Sequence, residues 1–299
     1  MTASRPLSAA LFMVAATSMY AGSMLAGKIA QLEGGMHPFQ VSHARFLFAF
    51  LALLVVVAAL RPRFGRMHWG LHTARSSCGF LAATAVFAAA AMIPLSDATA
   101  LSFLSGIFSM ILAIFFLRER VGPWRWVAAA LAFAGAIILL RPAGTLELGA
   151  LIAIAGAAIM GLEMMFIKRL TGLEAPLQIL TVNNGIGLVI ASVAVLFVWQ
   201  MPAPAQWLPL ACVGLAMVAG QACFIQALRR ADASYTAPFN YCVLIFATAY
   251  DFAVFAQVPD AVSWLGMAVI VSGAALLAWR EGRGTPVLAT PPVKEAQRP

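Results

Sequence analysis

The sequence predicts an all-α polytopic membrane protein, with ten transmembrane helices arranged as two inverted five-helix repeats. Three observations carry that prediction. Of 299 residues, 63% are hydrophobic and 10% charged, with a mean hydropathy of +0.92, whereas soluble domains carry about a quarter charged residues. Ten apolar runs follow one another at 7–27, 43–60, 75–95, 98–117, 124–140, 148–167, 178–200, 207–228, 235–256 and 261–279, most of them near the ~20 residues that a helix needs to cross a bilayer. Finally, the chain repeats: Pro38, Trp126 and Gly135 recur 138 positions on as Pro176, Trp264 and Gly273, and Ala10, Leu11 and Lys28 recur 140 positions on as Ala150, Leu151 and Lys168. Each half therefore holds five spans. Five is odd, so the second half enters the membrane from the opposite side, and proteins built this way commonly bind substrate near the midplane between the halves.

The expected organisation is a first repeat over residues 1–141, a second, inverted repeat over 142–280, and a Pro-rich polar tail over 281–299 that should be disordered and cytoplasmic. The first run is longer than the apolar core of a cleaved signal peptide and is read as a retained span. With the N-terminus placed in the cytoplasm, 16 of the 19 Lys and Arg residues fall on the inner side; Lys28 and Arg141 fall outside and Arg45 lies within a span. The positive-inside rule then puts both termini in the cytoplasm. Arg63, Arg118 and Arg229 are expected on the inner side, and Glu33, Asp97, Glu147 and Asp260 on the outer side. The net charge of +8 thus reads as a topology signal and not as a nucleic-acid footprint. Pro94, Pro209 and Pro238 sit at span ends, while Gly22, Gly161, Gly185, Gly187 and Gly220 sit inside spans, where glycine lets helices approach closely. Mostly continuous spans are expected, rather than broken half-helices.

The fourth run ends on Leu117-Arg118-Glu119 before a glycine-containing fifth run; the ninth ends on Phe255-Ala256-Gln257, without the acid. This pattern, with the duplicated five-span unit, resembles the EamA branch of the drug/metabolite transporter superfamily, over nearly the whole chain. The resemblance implies alternating access and, most like the bacterial exporters of aromatic and other large neutral amino acids, efflux across the inner membrane without a cofactor. Its partners would be a small-molecule substrate and the lipid bilayer; the sequence sets no oligomeric state, and a monomer is compatible with it. Export of other metabolites or hydrophobic drugs stays open as an alternative, as does an intramembrane enzyme. Against the enzyme, no nucleophile elbow, paired carboxylates or metal cage can be found, and catalysis would need such a cluster.

Several motifs invite chemistry and are better read plainly. Gly22-Ser-Met-Leu-Ala-Gly27-Lys28 spells most of a phosphate loop, but Ile29 replaces the metal-binding hydroxyl and no strand precedes it. His68 and His72 share an i, i+4 face with no third ligand nearby, and read as a polar face at the cytoplasmic surface. Cys78, Cys212, Cys223 and Cys242 lie in apolar runs and form no CxxC pair.

Polar groups inside the runs say more, because an ionised side chain there costs about 2.5–3.5 kcal/mol on insertion scales and should face protein or water. Arg45 and Asp251 lie toward the outer side and are expected to snorkel or to pair with each other. Glu163 is deep in the sixth span; Asn183 and Asn184 could be site residues or helix glue. A midplane cavity is expected from Tyr20, Met24, Phe80, Phe103, Met160 and Tyr241, with Glu163, Asn184, Gln221 and Asn240 as its polar groups. Such a lining suits an amphipathic small molecule.

Overall fold

In the computed structural model, residues 6–117, 123–140, 147–228, 230 and 237–281 are described. All regular structure among them is helical. The first half contributes α1 (Pro6–Leu32), α2 (Pro38–Leu60), α3 (Trp69–Met92), α4 (Leu95–Ser102), α5 (Leu104–Leu117) and α6 (Pro123–Leu140). The second contributes α7 (Leu148–Thr171), α8 (Pro176–Val195), α9 (Trp207–Leu228), a 3₁₀ turn (Ala237–Tyr241) leading into α10 (Cys242–Phe255), and α11 (Ala261–Glu281). Seven helices are long and apolar enough to cross a membrane, and three shorter apolar stretches accompany them, Ala129–Leu139, Phe239–Phe255 and Ala261–Gly273. Large apolar side chains such as Val55, Leu196, Phe197 and Leu208 point outward, each at least 70% exposed, as a surface solvated by acyl chains requires. This is a multi-pass membrane protein.

The packing repeats itself when the elements of one half are exchanged for those of the other. α1 lies against α9 and α10, just as α7 lies against α3 and α5; α2 lies against α9 as α8 lies against α3. The remaining major pairs, α2 with α8 and α6 with α11, join corresponding helices. The two halves are therefore interleaved, each first helix docked on the third helix of the other half. Glycines set the approach. A Cβ on Gly161 would stand 2.7 Å from Phe108 Cβ and 2.8 Å from Ser109 N, and one on Gly187 would stand 2.4 Å from the Phe46 ring.

Two spans carry a short break in the regular α-helix. In the fourth it is one residue, Phe103, between α4 and α5, whose backbone keeps right-handed helical angles (φ −65°, ψ −18°); the ninth enters through the 3₁₀ turn that ends at Tyr241. At the first, Thr99 Oγ1 donates to Leu95 O (2.6 Å) and Ser102 Oγ to Thr99 O (2.6 Å), while Phe103 N reaches back to Ala100 O (3.1 Å). Hydroxyls that bond back to the preceding turn compete with the helical ladder. In the second, Pro238 has no amide hydrogen to give the ladder. Phe103 and Tyr241 are 138 positions apart, the offset that also relates Trp126 to Trp264.

At the end of the bundle where α1, α3 and α10 finish, a buried ion pair ties the halves together. Lys28 Nζ donates to Asp251 Oδ1 (2.7 Å) with both side chains 2% exposed, and to Gln257 Oε1 (3.1 Å); Asp251 Oδ2 accepts from Leu95 N (2.6 Å). Arg45 is not the partner of Asp251. The phosphate-loop-like motif that contains Lys28 is simply the C-terminal half of α1.

The opposite end is held by Glu174, in the α7–α8 connection. Its Oε1 accepts from His68 N (2.9 Å) and the His68 ring (3.0 Å), and its Oε2 from His72 Nε2 (2.8 Å) and Gln178 Nε2 (2.7 Å). The two histidines thus clamp a carboxylate; His72 is fully buried, so they do not form the surface-facing polar strip read from their spacing. Burial alone would raise the Glu174 pKa, but the bonds from His72 and His68 outweigh it and bring the pKa from 4.5 down to about 2. A depressed carboxylate pKa stabilises the fold above the unfolded value, so this contribution is complete above pH 4.5 and is lost as pH falls toward about 2. Glu174→Gln should lower stability at pH 7 by about 1–3 kcal/mol, since His72 is left buried with one acceptor fewer. The difference between variant and wild type should shrink below pH 4 in a detergent melting series.

Arg118, Glu119, Arg229, the Asp232 segment and the tail 282–299 lie outside the described residues.

Candidate functional site

The site lies between the two breaks. The Phe103 and Tyr241 rings meet edge to face, with centroids 5.3 Å apart and planes at 67°. Two repeat-related residues that touch each other lie beside the axis relating the halves. Tyr20 and Met24 on α1, with Phe103, pack half-buried against the core shared by α4, α5 and α10. The Met24 sulfur lies 3.7 Å from Thr99 Oγ1. Tyr20 is seated by an absence of side chain: a Cβ on Gly220 of α9 would lie 2.7 Å from its Cε1. Gly220→Ala should therefore fold but push the Tyr20 ring off its seat, and we expect it to weaken handling of ring-bearing substrates by about three- to tenfold, which a transport Km comparison would measure.

The charged part of the site is built on α2, α3 and α7. Glu163 of α7 lies over Gly79 of α3, where a Cβ would stand 3.1 Å from its Oε1. Its carboxylate faces Arg75 at 3.6 Å (Nε to Oε1), with the Glu163 side chain 19% exposed. Arg75 also donates to Ile179 O at 3.2 Å. The third apolar run begins only at Arg75, but α3 begins six residues earlier, at Trp69, and carries Arg75 into the bundle. Arg45 of α2 senses the charges of Glu163, Arg75 and Tyr20, and its guanidinium lies 4.7 Å from the Phe46 ring. Its Nε and Nη1 are buried and donate to no group among the described residues. The Gln221 Oε1, on α9, is likewise buried without a donor.

Other sequence candidates fall elsewhere. Phe80 is buried in a local core with Phe46, beside Phe39. Asn184 is buried and spends its amide on Leu180 O at 2.9 Å, which makes it helix-internal. Asn183 serves as glue, accepting from Ser76 Oγ through its Oδ1 at 3.1 Å. Met160 is half-buried one turn before Glu163, and Asn240 is half-buried beside Tyr241. An apolar groove of about 580 Å³ between α10 and α11, lined by Ile245, Phe252 and Trp264 among others, opens outward, where those side chains are more than half exposed; it faces lipid and not the centre. Among the described residues, no three His, Cys, Asp or Glu side chains form a metal-ligand set.

The EamA-like transporter family matches the chain twice, over residues 7–141 and 147–279. The chain belongs to this family. A riboflavin transporter of Vibrio cholerae is 29% identical over 284 residues, which cover 91% of this chain and 93% of that protein. An S-adenosylmethionine uptake transporter of Rickettsia bellii is 25% identical over 82% of this chain and 85% of its own length. One solved chain, described as "Crystal structure of protein", superposes with a TM-score of 0.62 over 92% of this chain and 98% of its own, at 18% identity; that likeness concerns the fold.

Proposed function

We propose that this transporter carries a small ring-bearing metabolite across the bacterial inner membrane by alternating access, its ten spans forming inverted repeats over residues 1–141 and 142–280 with both termini in the cytoplasm. The observation that carries this reading is the Phe103–Tyr241 pair: aromatic rings at both helix breaks, beside the axis between the halves, with Tyr20 close by. Rings at that place offer stacking surface to a planar group. The substrates named for the relatives, riboflavin and S-adenosylmethionine, each contain a nitrogen ring system. Of the aromatic and large neutral amino acids expected from the sequence, the aromatic ones carry a ring and tryptophan a nitrogen ring. Riboflavin is the second reading, favoured by a riboflavin transporter that covers 91% of this chain.

Purified protein in liposomes preloaded with unlabelled compound should accumulate the labelled compound by counterflow. We expect protein-dependent accumulation of tryptophan or riboflavin and little of threonine. Absence of counterflow for every ring compound, or conversion of the compound without accumulation, would contradict the transport reading. Everted vesicles then give the direction, with export appearing as accumulation inside.

A further inference from the structure

We infer that Arg45 and Glu163 read the two charges of a zwitterionic substrate, carboxylate on Arg45 and ammonium on Glu163, while its ring rests near Tyr20 and the Phe103–Tyr241 pair. This rests on the transport reading above and narrows it from ring-bearing metabolites to those carrying both charges.

The difference between the two arginines is the starting point. Arg75 makes a hydrogen bond from Nη1 to Ile179 O, while its Nε, buried without an acceptor, stands 3.6 Å from the Glu163 carboxylate. On Arg45 both Nε and Nη1 are buried without an acceptor among the described residues. A guanidinium inside a membrane bundle is costly, and one that leaves donors unmade adds the desolvation of those groups. Such an arrangement persists where an anionic group completes it, and a carboxylate matches the planar fork of the guanidinium. Glu163 is the complementary half. Among the described residues its one ion-pair contact is the long one to Arg75, at 3.6 Å, beyond hydrogen-bond range, so the carboxylate retains lone pairs for a cation. Gly79 beneath it leaves room that any side chain would occupy. The Gln221 Oε1, a buried acceptor without a donor on a helix that also seats Tyr20, supplies a further acceptor of the kind an ammonium needs. Two arginines against one glutamate leave the cluster net positive before substrate arrives, so an anionic group is favoured at Arg45 even while Glu163 is ionised. A neutral ring compound would satisfy neither half.

The test uses wild-type protein first, so that no variant has to fold. Counterflow of labelled tryptophan is competed with tryptophan, tryptophanamide, which lacks the carboxylate, N-acetyltryptophan, which lacks the ammonium, and riboflavin, which carries neither charge. We expect each modified tryptophan and riboflavin to compete at least about tenfold more weakly than tryptophan. In Arg45→Gln the penalty for the amide should vanish while that for the N-acetyl compound persists; in Glu163→Gln the pattern should reverse. Arg45→Lys should keep part of the preference for the free carboxylate. Equal competition by all the tryptophan derivatives, or robust riboflavin counterflow with none of tryptophan, would overturn this assignment and leave the transport reading standing. Failure of every ring compound to exchange would remove both.

Discussion

Lys28→Met should destabilise the protein by about 3–5 kcal/mol, because it removes one member of a buried ion pair and leaves Asp251 uncompensated. Asp251 and Lys28 are each 2% exposed, and Asp251 also accepts the backbone N–H of Leu95 at the start of α4. The lost cation therefore cannot be replaced by water without opening the contact between α1, α4 and α10. The pair itself is not expected to be worth that much: two charges taken out of water repay little more than their own desolvation. The double variant Lys28→Met with Asp251→Asn, which keeps an acceptor for Leu95 N but removes the second charge, should recover most of the loss. Thermal unfolding in detergent, followed by size-exclusion recovery after heating, reads both effects. If the double variant melts as low as the single one, charge pairing is not what holds this end closed.

Truncation of the central rings should produce the largest functional effect. Phe103→Ala or Tyr241→Ala removes one ring of the edge-to-face pair, and burying a large apolar side chain is worth about 1.5–3 kcal/mol, so transport efficiency for tryptophan and phenylalanine should fall about ten- to hundredfold. Any handling of threonine should fall far less, because threonine has no ring to lose contact. Phe103→Leu, which retains volume at the helix break, should keep the protein folded and recover part of the activity. Growth of an exporter-deficient bacterial strain on toxic levels of each amino acid is a suitable readout, with liposome counterflow as its quantitative form. Equal losses for all substrates would reduce the rings to packing.

Much of the architecture was legible because its signals are long. A twenty-residue apolar run and a repeat offset of 138 survive any single irregularity, and the double match to one family agrees with both. Local exceptions were harder to see. The break at Phe103 comes from Thr99 and Ser102 hydroxyls turning back on their own helix, and the same residues in another helix leave it straight. Of the site residues, Tyr20, Met24, Phe103, Glu163, Gln221 and Tyr241 were chosen for residue type at the right depth, and the structure puts Phe103 against Tyr241, Tyr20 and Met24 against the same core as Phe103, and Glu163 within charge range of Arg45. Asn184 and Phe80 had the same apparent merit, but the helical phase turns Asn184 back to Leu180 and Phe80 into a core with Phe46. Arg75 was missed because a basic residue near the end of an apolar run looks like a loop residue. One signal was available: no proline stands between Trp69 and Arg75, so the helix can extend about a turn and a half before it. The Lys28–Asp251 pair joins residues 223 apart, which no local pattern could match.

Accessibility of one central position from both faces of the membrane tests alternating access through this site most directly. Met24 is suited to it, being half-buried beside the rings and replaceable by another sulfur. With Cys78, Cys212, Cys223 and Cys242 changed to serine or alanine, Met24→Cys should react with a membrane-impermeant thiol reagent in right-side-out vesicles and in everted vesicles alike. Transported substrate should slow both reactions. Reaction from one face only, under every substrate condition, or labelling that substrate never protects, would contradict a shared site opened in turn to each side.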